Sequence, residues 1–138
     1  MSEAQANKDL ARRWFEEVWN QGRESAIDEM SYHDVHGHGL QAPDGNEVQS
    51  MDAFKAYYRQ MRAALSDIHV TVENVVTEGD VTVARCTVTA KHTGEGLGKP
   101  PKGNPIQFTG MTMARIKEGK IAEAWNNFDF LTMYQQME

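Results

Sequence analysis

With 138 residues, the chain suits one domain with a real core and is too short for two. Its net charge of −6 and isoelectric point near 5.3 argue against nucleic acid or an anionic membrane as partner, because both reward a basic patch. A single cysteine, Cys86, excludes an intramolecular disulfide and any multi-cysteine metal site.

From about Glu3 to Asn20 the residues Leu10, Trp14 and Val18 recur every four positions, with Ala11 and Phe15 beside them. That spacing predicts one amphipathic helix, stopped at "NQG", where Gly22 supplies the permissive residue. The polar start "MSEAQANKDL" lacks the pattern of a signal peptide. No apolar run approaches the roughly 20 residues of a membrane span, so a cytoplasmic protein is expected. A second short helix is predicted around Ser25 to Met30. "SYHDVHGHG" then reads as a short strand running into a loop that holds Gly37, Gly39, Pro43 and Gly45. Ser50 is a suitable N-cap for a helix that buries Phe54, Tyr58, Met61 and Leu65 and keeps Lys55, Arg59 and Arg62 wet.

After Asp67 the hydrophobic period falls from near four to two. "IHVTVENVV", "VTVARCTVTAKH", "IQFTGMTMARI" and "IAEAWNNF" are four strand-like runs. "EGD" and "KEGK" suit tight hairpins, whereas the Gly/Pro-rich Thr93–Pro105 reads as an ordered, gating loop. Helices followed by an antiparallel meander give an α+β fold. A twisted sheet of this size can curl around the helices and leave a pocket.

Few titratable residues fall at inward positions. His36 and His38 share one strand face and His33 takes the other, so the three histidines do not converge. With no local Asp, Cys or Glu at a metal-ligand spacing, no metal centre is expected. His92 shares parity with Ala84, Cys86, Val88 and Ala90, which places it at the inner end of its strand beside the Gly-rich loop. Tyr57 and Tyr58 point about 100° apart on their helix, so one belongs to the core and the other offers a hydroxyl to the pocket. Trp14 and Trp19 are core residues by default, and Met111 and Met113 are packing residues. The sequence holds no phosphate-binding Gly-rich motif and no serine elbow, which disfavours nucleotide and hydride chemistry.

The runs "RRWFEEVWNQGRESAIDEM", "HTGEGLGKPPKGNPIQFTG" and "RIKEGKIAEAW", with the closing "YQQME", resemble the SnoaL-like polyketide cyclase (ester cyclase) family over nearly the whole chain. The resemblance implies a nuclear transport factor 2-like, cone-shaped α+β barrel: N-terminal helices packed into a strongly curved sheet around an apolar cavity. It also implies cofactor-independent chemistry, an intramolecular aldol cyclisation or isomerisation of an apolar polyketide-type or ester substrate, with an Asp as acid/base. A homodimer joined through the outer sheet face is the accompanying expectation.

The family commonly reads W-D-x-x-D where this chain has "WNNFD", Trp125 to Asp129. Asp129 keeps the second acid and Asn126 replaces the first. On this reading Asp129 is the proton carrier, with His92 and Asn126 orienting or polarising a substrate carbonyl. His36, Tyr58, Trp14, Phe108, Trp125 and Asn127 would then form the substrate wall. Two registers remain open. A two-residue turn at Glu118–Gly119 that pairs Ile116 with Ile121 sends Asn127 and Asp129 to the face of Phe108 and Gly110, and a bulge sends Asn126 there instead. Asp129 can equally N-cap a helix "FLTMYQQM". If Asn126 occupies the acid position, the proton carrier is lost and the protein is a repurposed enzyme or a binder without turnover; a hydrolase or dehydratase in which Asp129 and His92 activate water is the third reading.

Overall fold

The structure, a computed structural model, describes residues 2–138. Helix α1 (Glu3–Arg13) begins at Ser2, whose side chain accepts the Gln5 N–H at 3.1 Å. The single helix expected to Asn20 instead widens into a π-helical segment, Trp14–Asn20, closed by Gln21 N–H donating to the Glu16 carbonyl at 2.8 Å. Widening changes which side chains share a face. Trp14 and Trp19, five positions apart, would diverge on an α-helix, yet here both reach the interior cavity. Helix α2 (Ser25–Met30) buries Ala26, Ile27 and Met30. Helix α3 (Met51–Ala64) is capped by the Ser50 hydroxyl, which accepts the Ala53 N–H at 3.2 Å. It buries both Tyr57 and Tyr58, while Leu65, expected on its face, opens the next strand.

Six strands form one sheet in the order β2-β1-β6-β5-β4-β3. Strands β3 (Leu65–Glu78), β4 (Val81–His92), β5 (Asn104–Lys117) and β6 (Lys120–Phe128) make the antiparallel meander that the two-residue period predicts. The segment read as a short strand and a loop is an 11-residue strand, β1 (Ser31–Gln41), which pairs parallel with β6 and antiparallel with the short β2 (Glu47–Val48). The α+β fold is thus as the sequence indicates, with a mixed sheet. Helix α3 contacts β1, β2 and β3, elements from opposite ends of the sheet order, so the sheet curls around it. One continuous core fills the space between, from Val18 and Ile27 on the helices to Ala84, Val88 and Phe108 on the strands. Cys86 lies fully within that core, and burial pushes its thiol up to about 12, which leaves it an inert hydrophobe.

The turn between β5 and β6 settles the register. Glu118 (φ 52°) and Gly119 (φ 78°) form the two-residue turn, and Ile116 pairs with Ile121. Arg115 then pairs with Glu123, so Ala122 is an extra residue on β6. Beyond this bulge Thr112 opposes Asn126 and Gly110 opposes Phe128. Both registers weighed from sequence therefore contribute: the tight turn is present, and a bulge one residue beyond it reverses the faces of the rest of β6. Helix α4 (Phe130–Gln135) follows, with Met133 and Met137 buried beneath it.

Candidate functional site: an apolar cavity and a polar cluster behind it

Between α1, the π-helical segment, α3 and the sheet lies a cavity of about 100 Å³. Trp14, Trp19, Phe54, Tyr57, Phe108 and Phe128 make much of its wall. Among the described residues that line it there is no Asp, Glu, His, Lys or Arg. Polar side chains enter at few points. The Ser31 hydroxyl donates to the Ile27 carbonyl, and Thr82 is paired with Thr77 at 2.8 Å. Burial, with a smaller push from Tyr134, raises the Tyr57 phenol well above its ordinary value, so it stays protonated.

Asn126 is the polar group best placed for recognition. Its Oδ1 accepts from the Thr112 hydroxyl at 3.0 Å, and its Nδ2 donates to the His38 carbonyl at 3.1 Å. One N–H and one lone pair remain for a ligand. Close backbone approach holds this corner together. A Cβ on Gly39, which has φ +86°, would sit 2.0 Å from the Asn126 carbonyl oxygen. Gly110 similarly leaves space for a ring, since a Cβ there would lie 2.1 Å from Phe128.

Several residues expected in the pocket sit elsewhere. Asp129 is exposed and N-caps α4: its Oδ1 accepts the Thr132 N–H at 3.1 Å and its Oδ2 the Thr132 hydroxyl at 2.6 Å. Those bonds, the hydroxyl first, hold its carboxyl below the ordinary range, the opposite of what a proton carrier at neutral pH needs. Asp129 and the exposed Asn127 border a shallow outer depression with Arg85 and Met111. Trp125 faces outward because of the bulge in β6, and His36 shares that outer face by alternating with the buried Val35 and Gly37. The Tyr58 hydroxyl is spent on the Val18 carbonyl at 2.7 Å, so Tyr57, not Tyr58, is the cavity tyrosine. His92 is inward, as its parity requires, but it is fully buried away from the cavity wall with neither ring nitrogen hydrogen-bonded. Of the nine residues singled out from sequence, Trp14, Phe108 and Asn126 line the cavity.

Behind the cavity, on the outer face, β1, β2 and β6 assemble a cluster that the sequence did not reveal. The His36 and His38 rings stack at 3.8 Å, and His38 stacks in turn on Trp125 at 5.3 Å. His36 Nε2 contacts Glu47, and His38 Nε2 lies 2.7 Å from Glu123 Oε2. The guanidinium of Arg115 sits 5.5 Å above the Trp125 ring and 3.6 Å from Glu123. The His36 hydrogen bond holds the Glu47 carboxyl below its ordinary value. The paired histidines were legible as H-x-H. Glu47 and Glu123 were not, because only the hairpin and the parallel pairing bring them there.

A curled mixed sheet closing over N-terminal helices around an apolar cavity defines the nuclear transport factor 2-like α+β fold. The profile of the SnoaL-like polyketide cyclases matches residues 9–137, and the chain belongs to that family. TsrD from Streptomyces laurentii superposes with a TM-score of 0.84 at 20% identity, over 99% of this chain and 98% of that one. A protein from Jannaschia sp. CCS1, provisionally assigned as a SnoaL-like polyketide cyclase, gives a TM-score of 0.86 at 23% identity, over 99% and 95% of the two chains. IdmH from Streptomyces antibioticus, provisionally assigned as a polyketide cyclase, gives 0.81 at 26% identity, over 94% and 96%. No curated protein matches the sequence. Family membership supports a cyclase- or isomerase-type role. No helix among the described residues is long and apolar enough to cross a membrane.

Proposed function

We propose that the protein, its cavity of about 100 Å³ widening around the ligand towards the several hundred Å³ such compounds need, encloses one apolar polyketide-type carbonyl compound and promotes its cyclisation or isomerisation by confinement and hydrogen bonding, without a carboxylate proton carrier. The observation that carries this reading is the cavity wall: mostly aromatic and aliphatic, with Ser31 and Thr82 spent on internal hydrogen bonds, the Asn126–Thr112 pair and Tyr57 as its other polar features, and no carboxylate among the described lining residues. Magnitudes favour confinement. General acid–base catalysis contributes about 10²–10⁴-fold, whereas fixing two reacting groups in an attack geometry removes about 7–11 kcal/mol of barrier in good cases. A substrate whose own activated C–H and carbonyl meet inside the cavity needs its oxygen polarised as charge develops. The free N–H of Asn126 and the neutral Tyr57 phenol are donors of that kind.

The absence of a lining carboxylate also favours a second reading, in which the same cavity stores an apolar metabolite without turnover. Association as a homodimer through the outer sheet face is part of the proposal; Met111, 49% exposed on β5, is an apolar residue that such contact would cover. Sedimentation equilibrium checks it, and a monomer mass at high protein concentration rejects it.

The functional test uses a panel of aromatic ketones and esters in heavy water. Binding is followed by fluorescence of Trp14 and Trp19 in the wall, and turnover by deuterium incorporation and product formation. Turnover that survives Asp129→Asn and falls at least tenfold in Asn126→Leu is the expected result. Loss of turnover in Asp129→Asn overturns the carboxylate-free mechanism, and saturable binding with no exchange or product selects the storage reading.

A further inference from the structure

The outer cluster has the donor set of a metal site. We propose that His36, His38 and Glu47 bind a single divalent transition-metal ion, zinc by ligand type, through His36 Nε2, His38 Nδ1 and a Glu47 carboxylate oxygen. One donor atom from each of the three residues lies within 4.8 Å of the others, and His38 Nδ1 is 3.5 Å from Glu47 Oε1. Donors bonded to zinc at about 2.0–2.2 Å in tetrahedral array stand roughly 3.3–3.6 Å apart. The His36–Glu47 contact opens slightly to admit the ion.

The remaining bonds orient the ligands as metal sites do. Glu123 Oε2 takes the Nε2–H of His38 at 2.7 Å, which turns Nδ1 towards Glu47. This carboxylate–histidine arrangement raises the basicity of the ligating nitrogen. The His36 and His38 rings stack within 17° of parallel, so the His36 ring tilts on binding to bring both in-plane lone pairs to one ion, while Trp125 backs the His38 ring. The Asn126 side chain holds the His38 backbone carbonyl, so the strand beneath is also fixed. Two carboxylates and two neutral imidazoles carry a charge of −2 that Arg115, 3.6 Å from Glu123, offsets in part.

Three protein ligands leave at least one coordination position open, and the cluster is partly solvent-accessible, with the His36 and His38 side chains 34% and 31% exposed. A water or a small anionic ligand completes the shell. The ion would join the β1–β2 hairpin to itself, and through Glu123 to β6, directly behind Gly37 and Leu40 of the cavity wall. It would stiffen that wall from outside. The inference stands apart from the proposed cavity function.

Tag-free, chelator-treated protein titrated with zinc chloride by calorimetry, and with cobalt(II) by visible absorption, tests the proposal. One ion per chain with a dissociation constant below about 10 µM is expected, and cobalt(II) should show absorption bands of low coordination number. His36→Ala and His38→Ala should each weaken binding by about 100-fold or more. Glu123→Gln, a positioning change, should weaken it by about 10–100-fold, while His33→Ala leaves it unchanged. Glu47→Gln, nearly isosteric on the surface, gives a loss that misfolding cannot account for. Absence of one-to-one binding overturns the assignment, as does binding that survives the His36→Ala/His38→Ala pair or that His33→Ala removes.

Discussion

On the inner face of β6, Ala124, Asn126 and Phe128 meet an apolar cavity; on the outer face, Glu123 and Trp125 meet two histidines, a second carboxylate and an arginine. The two faces come from one nine-residue strand, and a single extra residue decides which is which. Were Ile116↔Ile121 continued without a bulge, Glu123, Trp125 and Asn127 would face Ala114, Thr112 and Gly110 across the cavity side. The bulge at Ala122 sends Glu123 out and Asn126 in. Titratable chemistry is thereby removed from the compartment best suited to bind an apolar substrate and gathered behind it. Register alone does this, with no change of composition.

Deleting Ala122 attacks the comparison at its root. The strand either slips, driving Glu123 towards the cavity, or loses pairing beyond Ile121. Burying an unpaired carboxylate or abandoning half a central strand costs on the order of 4 kcal/mol or more. Urea unfolding should show that loss, and a deletion tolerated within 1 kcal/mol would mean the bulge does not set the faces. Gly39→Ala is the next largest. A positive φ costs about 1–2 kcal/mol for a non-glycine residue, and the added Cβ meets a backbone oxygen at 2.0 Å, so a total of about 3 kcal/mol is expected. The same substitution should disturb both faces, because Gly39 follows His38 and abuts Asn126.

Much of this molecule is readable from its residues. The four strand-like runs and α3 carry undiluted periods, and Ser50 caps α3 as its type predicts. His92 goes inward because parity within one regular strand survives until a bulge interrupts it. What could not be read depends on contacts between distant segments. Strand β1 looks like a loop because its glycines and histidines have poor strand propensity; its stability comes from pairing with β6, far away in sequence. The π-helical widening has no local signal, yet it brings Trp19 to the cavity beside Trp14. The family's W-D-x-x-D pattern pointed to the end of β6, but it said nothing of the direction in which each side chain points.

Asn126→Asp sharpens the comparison by restoring a carboxyl to the inner face. Desolvation raises the pKa of a buried acid above its unfolded value near 3.9. Relative to wild type, stability should then be greatest below about pH 4 and fall as pH rises from there to the higher folded pKa, by about 1.4 kcal/mol for each unit of elevation. Wild type should show no such fall over that range. A flat profile for the variant, from unfolding measured between pH 4 and 8, would mean that the position is wetter than the cavity wall implies.

Asp129 should show the opposite sign at a smaller amplitude. Its folded pKa is depressed, chiefly by the Thr132 hydroxyl and then by the Thr132 N–H, so its contribution is present above the unfolded pKa near 3.9. That contribution disappears as pH falls through the folded value. Asp129→Asn keeps an oxygen for the Thr132 N–H and should cost little; Asp129→Ala removes the cap and should cost more, with fraying of α4 visible by hydrogen exchange at Met133 and Tyr134. Neither variant should alter ligand binding in the cavity, because the carboxylate is committed to Thr132 on the outer side. A variant that left α4 intact but abolished binding would place the acid in the site after all, and the separation of the two faces of β6 would fail at its C-terminal end.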